Sequence, residues 1–172
     1  MNSQGKKAKE YAFNREFLPI DYSVVIKNMD LVQRIFDGDC TKNFNAMRIS
    51  VGKIMFDKAG IFRNEVSLQE AFDYMKYLRF ESNTLHCIDK GKHNNVELIS
   101  ILELRNALEL SEAIILSAMK RCESRGAHYR EDFPFTLKEG NAHVLIKELQ
   151  KGFFKVHYEE SGLTKWLKKI LT

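Results

Sequence analysis

Proline is scarce in this chain, and its scarcity limits what the chain can fold into. Only Pro19 and Pro134 occur in the 172 residues, and between them apolar residues recur at helical spacing over most of the sequence. A proline inside a helix removes a backbone hydrogen bond and clashes with the preceding turn, so the stretch between the two prolines is free to form long helices. The sequence therefore predicts a mainly α fold with a helical bundle over residues 18–134.

Four apolar stripes identify the helices of this bundle. In chain order, their members are Val25, Met29, Val32 and Phe36; Met47, Val51, Ile54 and Met55; Leu68, Phe72, Met75 and Leu78; and Leu98, Ile101, Leu102, Leu108, Ile114, Ile115 and Ala118. Gly38 and Gly60 should end the first two helices, because helices commonly stop at glycine. Ser67 and Glu70 have the spacing of a capping box at the start of the third helix.

The fourth helix is predicted to be the longest. It should begin at an asparagine cap, Asn94 or Asn95, and end near Cys122, a length of roughly 40 Å at about 1.5 Å per residue. Apolar residues cover more of its circumference than one contact needs, so we expect it at the centre of the bundle, between neighbouring elements. Four phenylalanines are also predicted to lie in the core: Phe44, Phe56, Phe62 and Phe72.

The pattern changes after Pro134. Residues 143–148 and 153–158 are short runs rich in β-branched and aromatic side chains, which predicts a small β-hairpin. The end of the chain predicts a short amphipathic helix, with three lysines opposite an apolar face of Leu163, Trp166, Leu167, Ile170 and Leu171. We therefore divide the chain into an N-terminal polar segment (1–17), the bundle (18–134), and a hairpin with a C-terminal helix (135–172) packed on the same domain.

Composition excludes several classes of protein. Lys and Arg total 27 against 23 for Asp and Glu, and this net charge of +4 is too small and too evenly mixed to indicate nucleic-acid binding. No apolar run reaches the 18 or more residues of a membrane span. Cys40, Cys87 and Cys122 are odd in number and far apart, so they predict neither a disulfide framework nor zinc ligands and favour a reducing compartment. The scattered glycines form no nucleotide-binding turn.

Residues 121–134 hold the densest chemistry in the chain. Three arginines, one histidine and three carboxylates surround Gly126 there. Guanidinium groups bind carboxylates and phosphates in bidentate fashion, so one interpretation is an anion or nucleotide site. The other is a self-paired ionic turn at the end of the long helix, because the acidic side chains nearly neutralise the arginines.

Two further groupings invite a catalytic or metal-binding interpretation, and both are rejected. Ser124, His128 and Asp132 lie four residues apart, but three positions in one local segment rarely reach the geometry of a nucleophilic triad. The group of His86, Cys87 and His93 matches no standard zinc spacing and has no fourth ligand nearby. We therefore predict neither catalytic nor metal-binding residues in this chain.

The 18 residues from Ser117 to Pro134, which contain Glu-Ser-Arg-Gly-Ala-His, closely resemble the C-terminal region of fumarate reductase and succinate dehydrogenase flavoprotein subunits. The segments 5–12, 52–63 and 104–113 are also similar to that family, so the resemblance covers roughly residues 5–160. It implies that the chain is the C-terminal helical domain of such a subunit, and that residues 1–17 are the remnant of a flavin-domain helix. L-aspartate oxidase, a relative in the wider family, is the nearest alternative.

The resemblance implies that the redox apparatus lies outside this chain. In the family, FAD and the dicarboxylate are bound by flavin-binding and capping domains that precede the matched region, so we expect this chain to bind no cofactor and to be inactive alone. The implied role is a docking and ionic network at the junction with those domains, formed by Arg121, Glu123, Ser124, Arg125, Gly126, His128, Arg130 and Asp132. If some partners of these charges lie on absent domains, charges and an apolar face should be exposed here.

The implied partners are the flavin-binding and capping domains and the iron-sulfur subunit of the complex, without nucleic acid or membrane insertion. The implied location is cytoplasmic, or peripheral at the inner membrane through partner subunits. A competing hypothesis is a stand-alone helical module whose N-terminal and C-terminal lysines recruit an acidic protein or a nucleic acid. Salt-sensitive binding to DNA or RNA would favour that hypothesis.

Overall fold

The computed structural model describes residues 3–13, 15, 19, 21–39, 42–137, 142–150 and 153–160. The chain divides into two compact units, residues 1–34 and 35–172. The amphipathic helix predicted near the C-terminus lies outside the described residues, and the predicted domain limits at residues 17 and 134 stay predictions. Within the described part, no helix is long and apolar enough to cross a membrane.

The fold is mainly α, as predicted. The helices are α1 (Ser3–Phe13), α2 (Tyr22–Asp37), α3 (Phe44–Ala59), α4 (Glu65–Glu81) and α5 (Val96–Lys120), with a 3-10 turn at Ser82–Thr84. The strands are β1 (Phe62–Arg63), β2 (Tyr129–Arg130), β3 (Ala142–Gln150) and β4 (Phe153–Glu160). Strands β3 and β4 pair antiparallel with a bulge between Glu148 and Gln150, which confirms the predicted hairpin.

Helix α5 lies at the centre of the second unit. It contacts α3, α4 and both strands of the hairpin, which confirms its predicted central place. The buried side chains of the three packed helices are Met47, Val51, Ala59, Leu68, Ala71, Met75, Leu78, Ile101, Leu104, Leu108, Ile115 and Ala118. A buried ion pair also joins α4 to α5, with Arg79 Nε 3.1 Å from Glu112 Oε1.

Several side chains predicted to be buried are exposed. Phe56 is 83% exposed and Phe62 is 68% exposed, so the prediction of a core role for both is wrong. Ile114 is 41% exposed, because α5 turns its Ile115 side toward the other helices. Val25 in the first predicted stripe is also exposed. Apolar spacing alone does not distinguish a buried face from an apolar face that the chain leaves open.

The start of α4 differs from the predicted capping box. Asn64, not Ser67, is the N-cap: its side chain accepts the Ser67 amide proton over 2.9 Å, and the Ser67 hydroxyl accepts from the Asn64 amide over 3.3 Å. Ser67 is therefore the third residue of the helix. Glu70 instead forms an exposed ion pair with Lys58 at 2.7 Å. At α5 the predicted asparagine cap is Asn95, whose side chain accepts from the Leu98 amide over 2.8 Å.

A parallel pairing of β1 with β2 brings two distant parts of the chain together. Phe62 lies opposite Tyr129, and Arg63 lies opposite Arg130. The Glu131 amide continues this ladder by donating to the Arg63 carbonyl over 2.7 Å. The pairing places the segment that follows α5 against the connection between α3 and α4. It therefore positions the residues of the candidate site.

Candidate functional site

The candidate site is the segment 121–137 together with Arg63, Asn64 and Glu65, and we call these residues the ionic corner. The segment leaves the C-terminal end of α5 and pairs with β1 just before α4 begins. The C-terminus of one helix and the N-terminus of another thus meet here. The helix dipoles make the C-terminal end of α5 partly negative and the N-terminal end of α4 partly positive. The end of α5 therefore favours a cation, and the start of α4 favours an anion.

Arg130 lies at the centre of the ionic corner and is 0% exposed. Its Nη1 donates to the carbonyls of Ala118 and Met119 at the end of α5, over 3.0 and 3.3 Å. Nε and Nη2 each donate to one carboxylate oxygen of Asp132 over 2.7 Å, and Nη2 also reaches Glu65 at 2.8 Å. Bidentate bonds to Asp132, the first cause, and the bond to Glu65 raise the pKa of Arg130. All five guanidinium N–H groups therefore have partners.

Asp132 links Arg130 to the start of α4. Its Oδ2 accepts from the amide of Glu65, the first residue of that helix, over 2.9 Å. The hydrogen bonds from Arg130, and then the amide of Glu65, lower the pKa of Asp132 to about 2. Beside it, Glu131 accepts from the Asn64 side chain over 2.9 Å. The Arg130 and Asp132 pair thus neutralises the partial charges at both helix ends.

Glu123 is a second buried charge, 1% exposed. It accepts from Arg121 over 2.5 Å, from Arg125 over 3.2 and 3.1 Å, and from the Leu137 amide over 2.9 Å. Burial by itself would raise the pKa of Glu123, but the hydrogen bonds from Arg125, Leu137 and Arg121 outweigh it and lower the pKa. Arg125 also donates to the Leu137 carbonyl over 2.6 Å. Glu123 and Arg125 together therefore hold Leu137, the end of the described segment, in place.

Ser124 and Gly126 shape the backbone of the ionic corner. The buried Ser124 hydroxyl accepts from the Arg130 amide and donates to the Phe133 carbonyl, both over 2.9 Å. The amides and carbonyls of Arg125 and His128 exchange hydrogen bonds of 2.8 and 3.0 Å across a tight turn. Gly126 supplies the positive φ of 58° that this turn needs.

His128 connects α5 to β1 through its ring. Nε2 lies 3.1 Å from the Arg121 carbonyl, which can only accept, and Nδ1 lies 2.8 Å from Nη1 of Arg63, which can only donate. These partners require the neutral ring with its proton on Nε2. Burial, and also the nearby charges of Arg63, Arg121 and Arg130, lower the pKa of His128.

The structure brings the eight predicted site residues into one segment, but their ion pairs form two groups. Arg130 pairs with Asp132 and Glu65, whereas Glu123 pairs with Arg121 and Arg125. The buried charges of Arg130 and Glu123 find partners within this chain. The hydroxyl of Ser124 and the ring of His128 bind other groups, and neither bonds to the other. The self-paired ionic turn is therefore the interpretation that the geometry favours.

Sequence reasoning missed the three members of the ionic corner that come before segment 121–137: Arg63, Asn64 and Glu65. Glu65 lies 65 positions before Arg130, and Arg63 lies 65 positions before His128, so no local spacing links them. Arg63 also ends α3, because its Nε donates to the carbonyls of Ala59 and Gly60 over 3.1 and 2.6 Å. The one available signal was that Arg63 closes the segment 52–63, which carries part of the family resemblance.

Exposed apolar side chains lie on the strands beside this network. The rings of Phe62 and Tyr129 meet edge to face at 5.6 Å, and the two side chains are 68% and 38% exposed. Ile61 directly precedes β1 and Val66 lies in the first turn of α4, and these side chains are 67% and 69% exposed. We call Ile61, Phe62, Val66 and Tyr129 the apolar patch. Clusters of this kind are typical of surfaces that contact another protein.

The cavities and the strand-to-helix turn of the described residues can be compared with what FAD needs. Two cavities in this part of the chain measure about 300 and 280 Å³, at the lower limit for ligand pockets. A dinucleotide cradle needs a glycine-rich turn between a strand and a helix, whereas Asn64 is the residue between β1 and α4. No step of a flavin reaction is therefore assigned to these side chains.

Sequence comparison identifies relatives over most of the chain. Residues 48–170 match the family described as "fumarate reductase flavoprotein C-term". An uncharacterized FAD-dependent oxidoreductase of Methanocaldococcus jannaschii is 36% identical over 156 residues, which cover 90% of this chain and 27% of the relative. The fumarate reductase flavoprotein subunit of Mycobacterium tuberculosis is 36% identical over 109 residues, which cover 63% of this chain and 19% of the relative.

Solved structures share the fold. In the Escherichia coli quinol fumarate reductase, a chain superimposes with a TM-score of 0.81 at 25% identity, over 91% of this chain and 28% of that chain. A chain of the Mycobacterium smegmatis Sdh1 complex, at 24% identity, gives a TM-score of 0.82 over 92% of this chain and 27% of that chain. The chain thus spans only about a quarter of its relatives' length. The chain belongs to the fumarate reductase flavoprotein family, and it corresponds to the C-terminal domain of that family.

Proposed function

We propose that this chain is the C-terminal helical domain of a flavoprotein subunit whose parent enzyme interconverts fumarate and succinate with FAD. The match over residues 48–170 and the fumarate reductase relatives favour this parent reaction. The domain itself neither binds FAD nor carries catalytic residues. Both functions lie in the flavin-binding and capping domains of the parent subunit.

The role of the domain is to dock on those two domains and hold their relative position. The observation that carries this proposal is that the ionic corner pairs its buried charges internally beneath an exposed apolar patch. Internal pairing makes the strands rigid, and a rigid surface loses little conformational entropy when a partner binds. Exposed Phe62 and Tyr129 then provide the aromatic anchors on which interface affinity usually depends.

Further partners and the location follow from the same proposal. The complete subunit would bind an iron-sulfur subunit, and the complex would lie at the cytoplasmic face of the inner membrane. This chain would reach the membrane through those partners, without contacting lipid. The Mycobacterium smegmatis structure, which is described as a complex, is consistent with assembly of that kind.

The test is to co-express the tagged chain with a flavin-bearing polypeptide from the same organism. We expect the two to co-purify as a yellow complex that reduces fumarate with an artificial electron donor. Phe62→Ser should weaken the association at least tenfold. The matched control is Ile88→Ser, which removes a side chain that is 74% exposed in the loop before α5 and should leave the association unchanged.

Two outcomes would contradict the proposal. The chain purified alone could be yellow or reduce fumarate, which would place the flavin chemistry in this domain. Alternatively, Phe62→Ser could associate as tightly as the Ile88→Ser control, which would exclude the apolar patch as the docking surface. Circular dichroism of both variants checks that each is folded, and exposed positions such as these usually change stability by less than about 0.5 kcal/mol.

A second candidate parent is an FAD-dependent oxidoreductase with a different substrate. The Methanocaldococcus jannaschii relative favours it, because its similarity covers 90% of this chain, whereas that of the Mycobacterium tuberculosis subunit covers 63%. The same co-expressed complex distinguishes the two parents. A flavin-containing complex that forms but shows no activity with fumarate or succinate would favour the second candidate.

A further inference from the structure

Among the residues that the structure describes, Arg63 differs from the other arginines of the ionic corner in having no carboxylate partner. Its Nε donates to two backbone carbonyls at the end of α3, and its Nη1 donates to the neutral ring of His128. Among the described residues, none accepts a hydrogen bond from Nη2, and no carboxylate forms an ion pair with this guanidinium. The side chain is nevertheless half-buried, and burial lowers its pKa. A half-buried cation of this kind is stabilised by an anion.

Arg63 lines a cleft of about 280 Å³ between the end of α5, the ionic corner and the hairpin. Three nitrogen-bearing side chains contribute to its walls: Arg63, Arg121 and His128. The remaining lining residues are mostly apolar: Ile114, Ser117, Ala118 and Val144. The cleft therefore combines a cationic wall with an apolar one.

We propose that this cleft binds a carboxylate, with Arg63 as the principal donor and Arg121 as a second cation. A carboxylate matches a guanidinium group because two N–H groups can donate to its two oxygens. The apolar wall favours a carboxylate carried on a short aliphatic stem. Glu123 already pairs with Arg121, so the charge of Arg63 is the one that a single monovalent anion would balance.

Two sources offer this chemistry. One is a small aliphatic carboxylic acid that enters the cleft from solution. The other is an aspartate or glutamate side chain of the flavin-bearing part, and this source rests on the function proposed above. The two sources share the donor groups of the cleft but differ in the experiment that detects them.

The first arm uses the full chain alone and follows the histidine ring resonances by NMR. Sodium acetate and sodium butyrate are added at constant ionic strength, with sodium chloride as the reference salt. We expect a saturable shift of the His128 ring, because its Nδ1 shares the guanidinium of Arg63. Butyrate should bind more tightly than acetate, by about fourfold for each methylene that it buries. The ring of His93, in the loop before α5, should not respond.

Arg63→Gln should weaken carboxylate binding at least tenfold. Its matched control is Arg48→Gln, which removes the same charge from an exposed position on α3. Because Arg63 also caps α3, a second variant guards against a folding defect. Ile114→Glu places a fixed carboxylate at a partly exposed position of the cleft and should abolish the response to added acetate, while Ile114→Gln should retain it.

The second arm measures the association of each variant with the co-expressed flavin-bearing polypeptide. If free carboxylates give no saturable shift but Arg63→Gln weakens that association and Arg48→Gln does not, the carboxylate comes from the partner. If chloride shifts His128 as strongly as acetate, and Arg63→Gln and Arg48→Gln associate equally well, the carboxylate site is overturned. If wild-type chain does not associate at all, the docking function fails, and the first arm still decides the carboxylate site.

Discussion

Arg63 and Arg130 lie opposite each other on the paired strands β1 and β2, yet their surroundings differ completely. Arg130 is fully buried between two helix ends and binds two carboxylates, two carbonyls and the face of the Phe133 ring, 4.8 Å from its guanidinium carbon. Arg63 is half-buried, binds carbonyls and a neutral histidine, and faces a cleft. The surroundings of Arg130 are closed and those of Arg63 are open, and we call them the closed side and the open side.

The difference separates a structural charge from one that is available for binding. A buried arginine with every N–H satisfied contributes to stability and has no capacity left for a ligand. An arginine with an unused pair of N–H groups keeps that capacity, at the expense of some folding free energy. The four predictions that follow test this division, beginning with the largest expected effect.

Arg130→Gln should destabilise the chain by about 3–5 kcal/mol, because it breaks a buried charge network and leaves Asp132 and the end of α5 without their partner. Arg63→Gln should cost only about 1–2 kcal/mol, the loss of hydrogen bonds at the end of α3. Urea denaturation followed by circular dichroism measures both values. Equal losses of unfolding free energy for the two variants would contradict the proposed difference between Arg130 and Arg63.

Acid should lower the free energy of unfolding by protonating Asp132 on the closed side. Its folded pKa of about 2 lies below the ordinary value of 3.8, so its contribution is complete above pH 4 and is lost as the pH falls toward 2. We expect about 1 kcal/mol, since solvent screens this partly exposed carboxylate. Urea denaturation of wild type and Asp132→Asn should give free energies that converge toward pH 2. A difference between the two free energies that stays constant down to pH 2 would contradict this prediction.

The free energy of unfolding should also decline through His128, on the open side, as the solution becomes mildly acidic. Its folded pKa lies below the ordinary 6.5, so the unfolded chain takes up the proton first and stability declines as the pH falls below about 6.5. The loss should stay below about 1 kcal/mol. NMR titration should place the His128 pKa below the ordinary value of 6.5, and Arg63→Gln should move it upward. A His128 ring that titrates at or above 6.5 would contradict the neutral bridge.

A carboxylate placed beside Arg63 should give this arginine the kind of partner that Arg130 already has. Ile114→Glu introduces an acidic side chain on α5 at the wall of the cleft that Arg63 lines. We expect a gain of about 0.5 kcal/mol at low salt, which should disappear at high salt because solvent ions screen a partly exposed pair. Thermal melting of Ile114→Glu against Ile114→Gln measures the gain. Identical melting of the two variants would exclude the interaction.

Much of the fold could be predicted from the sequence, because helix stripes and caps are local signals. The central place of α5, the Asn95 cap and the hairpin are confirmed. The start of α4 was predicted wrongly, because Ser67 and Glu70 match the capping-box spacing whereas Asn64 is the N-cap. The parallel pairing of β1 with β2 gave no signal at all, because two-residue strands carry no periodicity.

The composition of the ionic corner could be predicted, but its partners could not. Spacing placed Arg130 near Asp132, whereas Glu65 joins them only through the tertiary fold. The same limit applies to Phe62, which was predicted to be buried because an aromatic side chain in a helical region usually is. Whether a side chain faces the core or the solvent depends on the direction of the connection between α3 and α4. Nothing in the local sequence specifies that direction.

The contact between Arg130 and Glu65 also has a kinetic consequence, because it joins residues 65 positions apart. Bringing such distant positions together costs chain entropy, so the contact should form only after α4 and α5 have packed against each other. Interactions that form after the folding transition state slow unfolding far more than they speed folding. The buried arginine should therefore govern how long a folded molecule survives, and have little influence on how quickly the molecule reaches that state.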